Sequence, residues 1–279
     1  MLARFKEIVL DYTVRLADQV DAEAAEFRAG KSSFEIHRRT LGVILGAAIC
    51  LLAIRYIGNA DDLERQVAIL KFFHLDQKAK ALQFALTKAP NAKINARILW
   101  AVSRLTWYGL VPLLITKFAL REKISDFGFS PKQASGYVRL YLTLFAIVAP
   151  FVVMASFGEG FQAKYPYYKP DKREPFWPNT ALWEAFYASS FVALEYFFRG
   201  YLVHGLRRVM GYSAVFVPIL PYVMIHYGKP PAEAIGSAIT GFVLGTVSLK
   251  TRSILGGCGI HIAVAVGMDF LAMWHAGRF

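Results

Sequence analysis

Long apolar runs set the first limit on what this chain can fold into. Seven stretches approach or reach the roughly 20 apolar residues that a helix needs to cross a bilayer: 40–57, 98–120, 136–157, 181–206, 213–227, 232–249 and 254–275. The third contains an uncharged run over 140–158. Lipid offers no partner to a bare backbone, so such stretches must be helical. Composition agrees, with 56% apolar residues and only 19% charged ones, against about 25% charged in soluble domains. The chain is expected to be all-α, a polytopic transmembrane helix bundle of about seven spans. An eighth would have to hide in the charged segment 59–97, which reads as interfacial. A soluble multidomain enzyme and a disordered chain are both excluded.

Three regions follow from this pattern: an amphipathic N-terminal segment over 1–37, helices and an interfacial segment over 38–130, and a core over 131–279. In the first, Leu2, Phe5, Val9, Tyr12, Leu16 and Val20 recur at helical spacing. That spacing fits a helix packed on loops and a helix lying on the membrane equally well. Pro218 and Pro221 should kink or break the fifth stretch. Gly241 and Gly245 form a GxxxG, the usual mark of close helix packing. The charged run 169–174, flanked by Tyr and Trp, reads as an exposed interfacial loop. No internal repeat supports a transporter.

The net charge of +12 is spread through the gaps between apolar runs. It fits attraction to anionic lipid headgroups, and no nucleic-acid partner is expected. Cys50 and Cys258 lie inside apolar runs and read as free thiols. The first 37 residues have no apolar core of signal-peptide type, so the first span is expected to direct insertion. Lys and Arg counts barely separate the two sides of the membrane. Short-loop weighting, through Arg207-Arg208 and Lys250/Arg252, favours an internal N-terminus.

Ionisable residues inside spans are costly and mark candidate sites. Glu195 and Arg199, four apart, can pair across one helical turn, and a purely structural ion pair is the plain alternative. With a rise of 1.5 Å per residue, Glu195, His226 and His261 lie about 18, 22 and 13 Å below one membrane face, and Asp269 about 25 Å. Three such groups near one level on three helices point to a single buried site. A carboxylate and an imidazole can activate water, and a second imidazole can hold an oxyanion. No HExxH is present, so no cofactor is expected and zinc is a minority reading. Gly236-Ser237-Ala238 reads as helix packing rather than a serine nucleophile.

At these residues the sequence resembles the CAAX protease and bacteriocin-processing family of intramembrane glutamic endopeptidases, which includes the type II CAAX prenyl proteases. Leu194-Glu195-Tyr196-Phe197-Phe198-Arg199-Gly200 resembles its EExxxRG, Tyr222-Val-Met-Ile-His226 its FxxxH, and His261-Ile-Ala-Val-Ala265 its HxxxN. Phe127-Gly128-Phe129 resembles the family's loop ahead of the third span. The resemblance implies Glu195, Arg199, His226 and His261 as catalytic residues, and Asp269 and Tyr222 are accessory candidates. It also implies peptide-bond hydrolysis of a hydrophobic peptide or protein substrate, among membrane lipids, in a multi-pass protein of a prokaryotic plasma membrane. Leu194 and Ala265 replace the family's first Glu and its Asn. These departures leave open an inactive scaffold, or an immunity or binding protein. A local helix bulge could turn Glu195 inward.

Overall fold

The computed structural model describes residues 6–7, 10–170 and 172–278, so Leu2, Phe5 and Val9 of the N-terminal pattern lie outside the described residues. Those described are helical, without strands. Among them, five helices are long and apolar enough to cross a membrane: α2 (Ser33–Ile57), α5 (Ala92–Ala119), α6 (Val138–Ser156), α10 (Pro231–Thr251) and α11 (Leu255–His275). The remaining two of the seven stretches take other forms. The fourth is helical throughout but changes type, as α7 (Asn179–Glu195), a π-helix (Tyr196–His204) and α8 (Gly205–Met210). The fifth is broken, with a 3-10 turn at Gly211–Val215 and only six residues in α9 (Ile219–Met224). Its prolines remove backbone donors where a continuous helix would need them. Segment 59–97 forms the short helices α3 (Leu63–Phe72) and α4 (Asp76–Thr87) before α5 begins. Cys50 and Cys258 are free and buried.

The outward faces are apolar. On α6, Leu142, Ile147, Phe151 and Met154 are all exposed, as lipid contact demands and water would penalise. The chain forms two compact units, each assembled from separated segments: 1–47, 112–147 and 195–260 in one, and 48–111, 148–194 and 261–279 in the other.

In the first unit, α1 (Val14–Ala29) resolves the ambiguity of the N-terminal pattern. Its buried Leu16 and Val20 pack with Val203, Val215 and Leu249, each such side chain contributing roughly 1.5–3 kcal/mol. Polar ties fix its other side. Glu23 pairs with Arg207 at 3.1 Å and Arg252 at 2.6 Å, and Asp21 accepts from the Tyr212 N–H at 2.8 Å. A Cβ on Gly211, whose φ is +63°, would sit 1.8 Å from that Asp21 oxygen. Only glycine fits there. The segment is a packed helix.

In the second unit, α7 carries Trp183, Tyr187 and Phe191 at four-residue spacing into a cluster with Ile94, Tyr168 and Ala265. In the run 169–174, Lys169, Lys172 and Arg173 are exposed, as the charge of the run implies, but Glu174 is buried. Its carboxylate accepts from the Lys93 and Ile94 N–H groups at 2.7 and 3.2 Å and from the Tyr168 hydroxyl at 2.7 Å. The first N–H groups of α5 have no partner within the helix, and an anion there also suits the helix dipole. This cap explains why α5 starts at Ala92 rather than near 98. Burial, and then the bond to Glu174, push the Tyr168 hydroxyl up to about 12. Its stabilising effect is therefore complete below its ordinary value near 10 and is lost as pH rises through 12. Tyr168→Phe should cost about 1.5–3 kcal/mol, the worth of a bond to a charged acceptor. Denaturation at pH 8 and at pH 11–12 checks it, since the gap between wild type and variant should close at the higher pH.

Candidate active site

Glu195 ends α7, and the helix turns π directly after it. The i→i+5 bonding of a π segment widens the turn and re-aims side chains, a device common at functional sites. Glu195 and Arg199 are buried, at 0% and 2% exposure. Arg199 Nη1 donates to Glu195 Oε1 at 3.0 Å, and Arg199 Nη2 donates to the Thr240 carbonyl at 3.4 Å. The guanidinium lies 4.3 Å from the centroid of the Tyr222 ring, a cation–π contact that strengthens away from water.

Tyr222 sits on α9, and its ring meets the His226 ring edge-on at 4.8 Å. His226 follows α9 in a turn, with Nδ1 2.7 Å from the Tyr222 carbonyl oxygen. A carbonyl can only accept, so Nδ1 carries the hydrogen and the neutral ring keeps its lone pair on Nε2. That tautomer can take a proton from water.

Glycines permit the close approaches. A Cβ on Gly200 would meet the Phe127 carbonyl oxygen at 2.8 Å, so the Phe127-Gly128-Phe129 loop rests on the π-helix. Gly128, at φ +91°, fixes that loop by accepting from the Ile254 N–H at 3.0 Å. A Cβ on Gly257 of α11 would stand 3.2 Å from Glu195 Oε2. In the GxxxG of α10, a Cβ on Gly241 would touch Tyr222 at 3.4 Å and one on Gly245 would press Val215 at 2.9 Å. The motif therefore seats the broken segment against α10.

Glu195, Arg199, Tyr222 and His226 thus form one connected group within the first unit. His261 belongs to the second unit, where its ring lies 4.5 Å from Phe191. Ala265 is packed in the aromatic cluster there. Asp269 is fully buried and accepts from the Tyr167 N–H at 2.8 Å and the Trp183 indole N–H at 3.1 Å. Among the described residues, no group of three His, Cys, Asp or Glu is arranged to hold a metal ion.

Two features escape the sequence reading. The Thr240 carbonyl that receives Arg199 has no side-chain signature. His204, buried on the π-helix, was detectable as another ionisable group inside an apolar stretch.

Residues 176–267 match the model of a family described as type II CAAX prenyl endopeptidase Rce1-like. The match covers Glu195, Arg199, Tyr222, His226 and His261 and ends before Asp269. The matched family is a family of membrane proteases, and the sequence resemblance holds over this segment. No curated protein and no solved structure matches the chain.

Proposed function

We propose, from a segment that resembles the type II CAAX prenyl endopeptidases and carries this connected group, that the protein is an intramembrane endopeptidase of glutamic type. The observation that supports it most is the buried chain from Glu195 through Arg199 and Tyr222 to His226. Glu195 and the Nε2 of His226 hold one water between them, and one of the two takes its proton as the oxygen attacks the scissile carbonyl. Arg199 holds Glu195 in place, and Tyr222 fixes the tautomer of His226 through its carbonyl and braces the ring. The family resemblance gives His261 the role of donor to the oxyanion of the tetrahedral intermediate, and the returned proton leaves with the amine. The substrate is a hydrophobic or C-terminal peptide reached from the bilayer, and the site is a prokaryotic plasma membrane.

A second reading has its own observation. Ala265, where the family has Asn, is buried among Trp183, Tyr187 and Phe191, and Leu194 supplies no acid. An inactive scaffold or binding protein would carry such replacements.

Proteolysis of a library of hydrophobic, C-terminally tagged peptides in liposomes separates the two. Wild type should cleave, His226→Ala should lose roughly 10²–10⁴-fold, as for a lost general base, and a zinc chelator should change neither. Loss to the chelator would transfer the chemistry to zinc. A folded protein that cleaves nothing would establish the scaffold.

A further inference from the structure

One polar cavity is lined by neither Glu195 nor His226. It has a volume of about 390 Å³, and its lining includes His204, Arg207, Arg252, Glu23 and Asp126. All five belong to the first compact unit. The space would hold a group of several heavy atoms together with water, at ~30 Å³ per water.

The acids here are already engaged. Glu23 Oε1 accepts from Arg252 Nη2 at 2.6 Å and from the Gln19 amide at 3.2 Å, and Oε2 accepts from Arg207 Nη1 at 3.1 Å. Asp126 accepts from Arg208 Nη2 at 3.4 Å. The donors are not spent. Arg207 Nε is buried with no acceptor among the described residues. His204 is 2% exposed, and among the described residues neither ring nitrogen has a partner within hydrogen-bond geometry, although the Ser248 backbone is a polar neighbour. Buried donors left in this state are costly. Two buried donors, Arg207 Nε–H and the one N–H of a neutral His204, thus lack an acceptor.

We infer that this cavity binds a phosphate group. Arg207 on α8, Arg252 just past α10 and His204 at the end of the π-helix approach from different elements. A tetrahedral oxyanion offers oxygens in several directions, whereas a carboxylate offers two in one plane. Arginine forks match phosphate geometry. Both arginines follow long apolar stretches of the sequence, and basic residues in such places attract anionic lipid headgroups, so a phospholipid headgroup and free phosphate are the two sources. Glu23 on α1 also lines the cavity, pairs with both arginines and acts as an internal competitor. Phosphate therefore binds beside it, and binds better when its charge is removed.

Retention of radiolabelled inorganic phosphate by the full-length protein in phosphate-free detergent tests this directly. A parallel arm measures association with phosphatidylcholine vesicles with and without phosphatidylglycerol. Wild type should bind saturably in at least one arm. Arg207→Lys keeps a cation for Glu23 but loses the Nε donor, and should bind at least tenfold more weakly, as should His204→Phe. Glu23→Gln leaves both arginines in place and should bind severalfold more tightly. That gain keeps the test decisive if either loss variant fails to fold. The pattern with inorganic phosphate assigns a free-phosphate site; the same pattern only with phosphatidylglycerol assigns a headgroup site. No saturable binding in either arm, or binding equal in wild type and Glu23→Gln, overturns the inference.

Discussion

Glu195→Gln is expected to lower hydrolysis by roughly 10²–10⁴-fold, the worth of a general base, while the protein stays folded. Glutamine has the shape of glutamate, and its carbonyl oxygen can still accept from Arg199 Nη1, now 3.0 Å from Glu195 Oε1. What it cannot do is take a proton from water. Arg199→Leu should behave differently. It leaves the carboxylate at 0% exposure without its partner and removes the cation from over the Tyr222 ring. Breaking a buried pair from one side costs about 3–5 kcal/mol, so this variant should lose stability as well as turnover. Thermal denaturation measured beside peptide cleavage separates the two effects. Wild-type turnover in a folded Glu195→Gln protein would remove Glu195 from the chemistry.

The contrast between these variants reflects what the sequence could show. An acid and an arginine four apart inside an apolar stretch are legible as a pair, because helix geometry alone brings them together. The broken fifth stretch is legible from Pro218 and Pro221. The start of α5 is not, because its cap is Glu174, distant in sequence and inside a run whose charge reads as exposed. The N-terminal helix shows the limit of periodicity. Leu16 and Val20 would face lipid or core with the same spacing, and only the ties of Asp21 and Glu23 to Tyr212, Arg207 and Arg252 decide for the core. Within the site, the Thr240 carbonyl was invisible because a backbone acceptor has no residue type. His204 was visible by the same rule that selected His226.

Asp269 is where the plain and the catalytic readings separate most clearly. Eight residues after His261 on α11, it stands about 12 Å along the helix axis. Both its oxygens accept from neighbours, Oδ1 from the Tyr167 N–H and Oδ2 from the Trp183 indole. It therefore ties the segment around Tyr167 to α7. The Glu184 carboxyl is a further polar neighbour. Asp269→Leu conserves volume but leaves both donors without an acceptor, at about 1–3 kcal/mol each, and should destabilise by roughly 2–5 kcal/mol. Asp269→Asn keeps one acceptor oxygen and leaves one of the two donors facing its amide, so its cost should be about 1–3 kcal/mol, smaller than that of Leu. Denaturant unfolding and cleavage assays on both variants distinguish a tether from a catalytic accessory. A tether predicts that turnover follows stability in both variants, with Asn losing less of each than Leu. A stably folded Asp269→Asn that fails to cleave would instead give the carboxylate a part in the chemistry, because stability would be kept while the charge was lost.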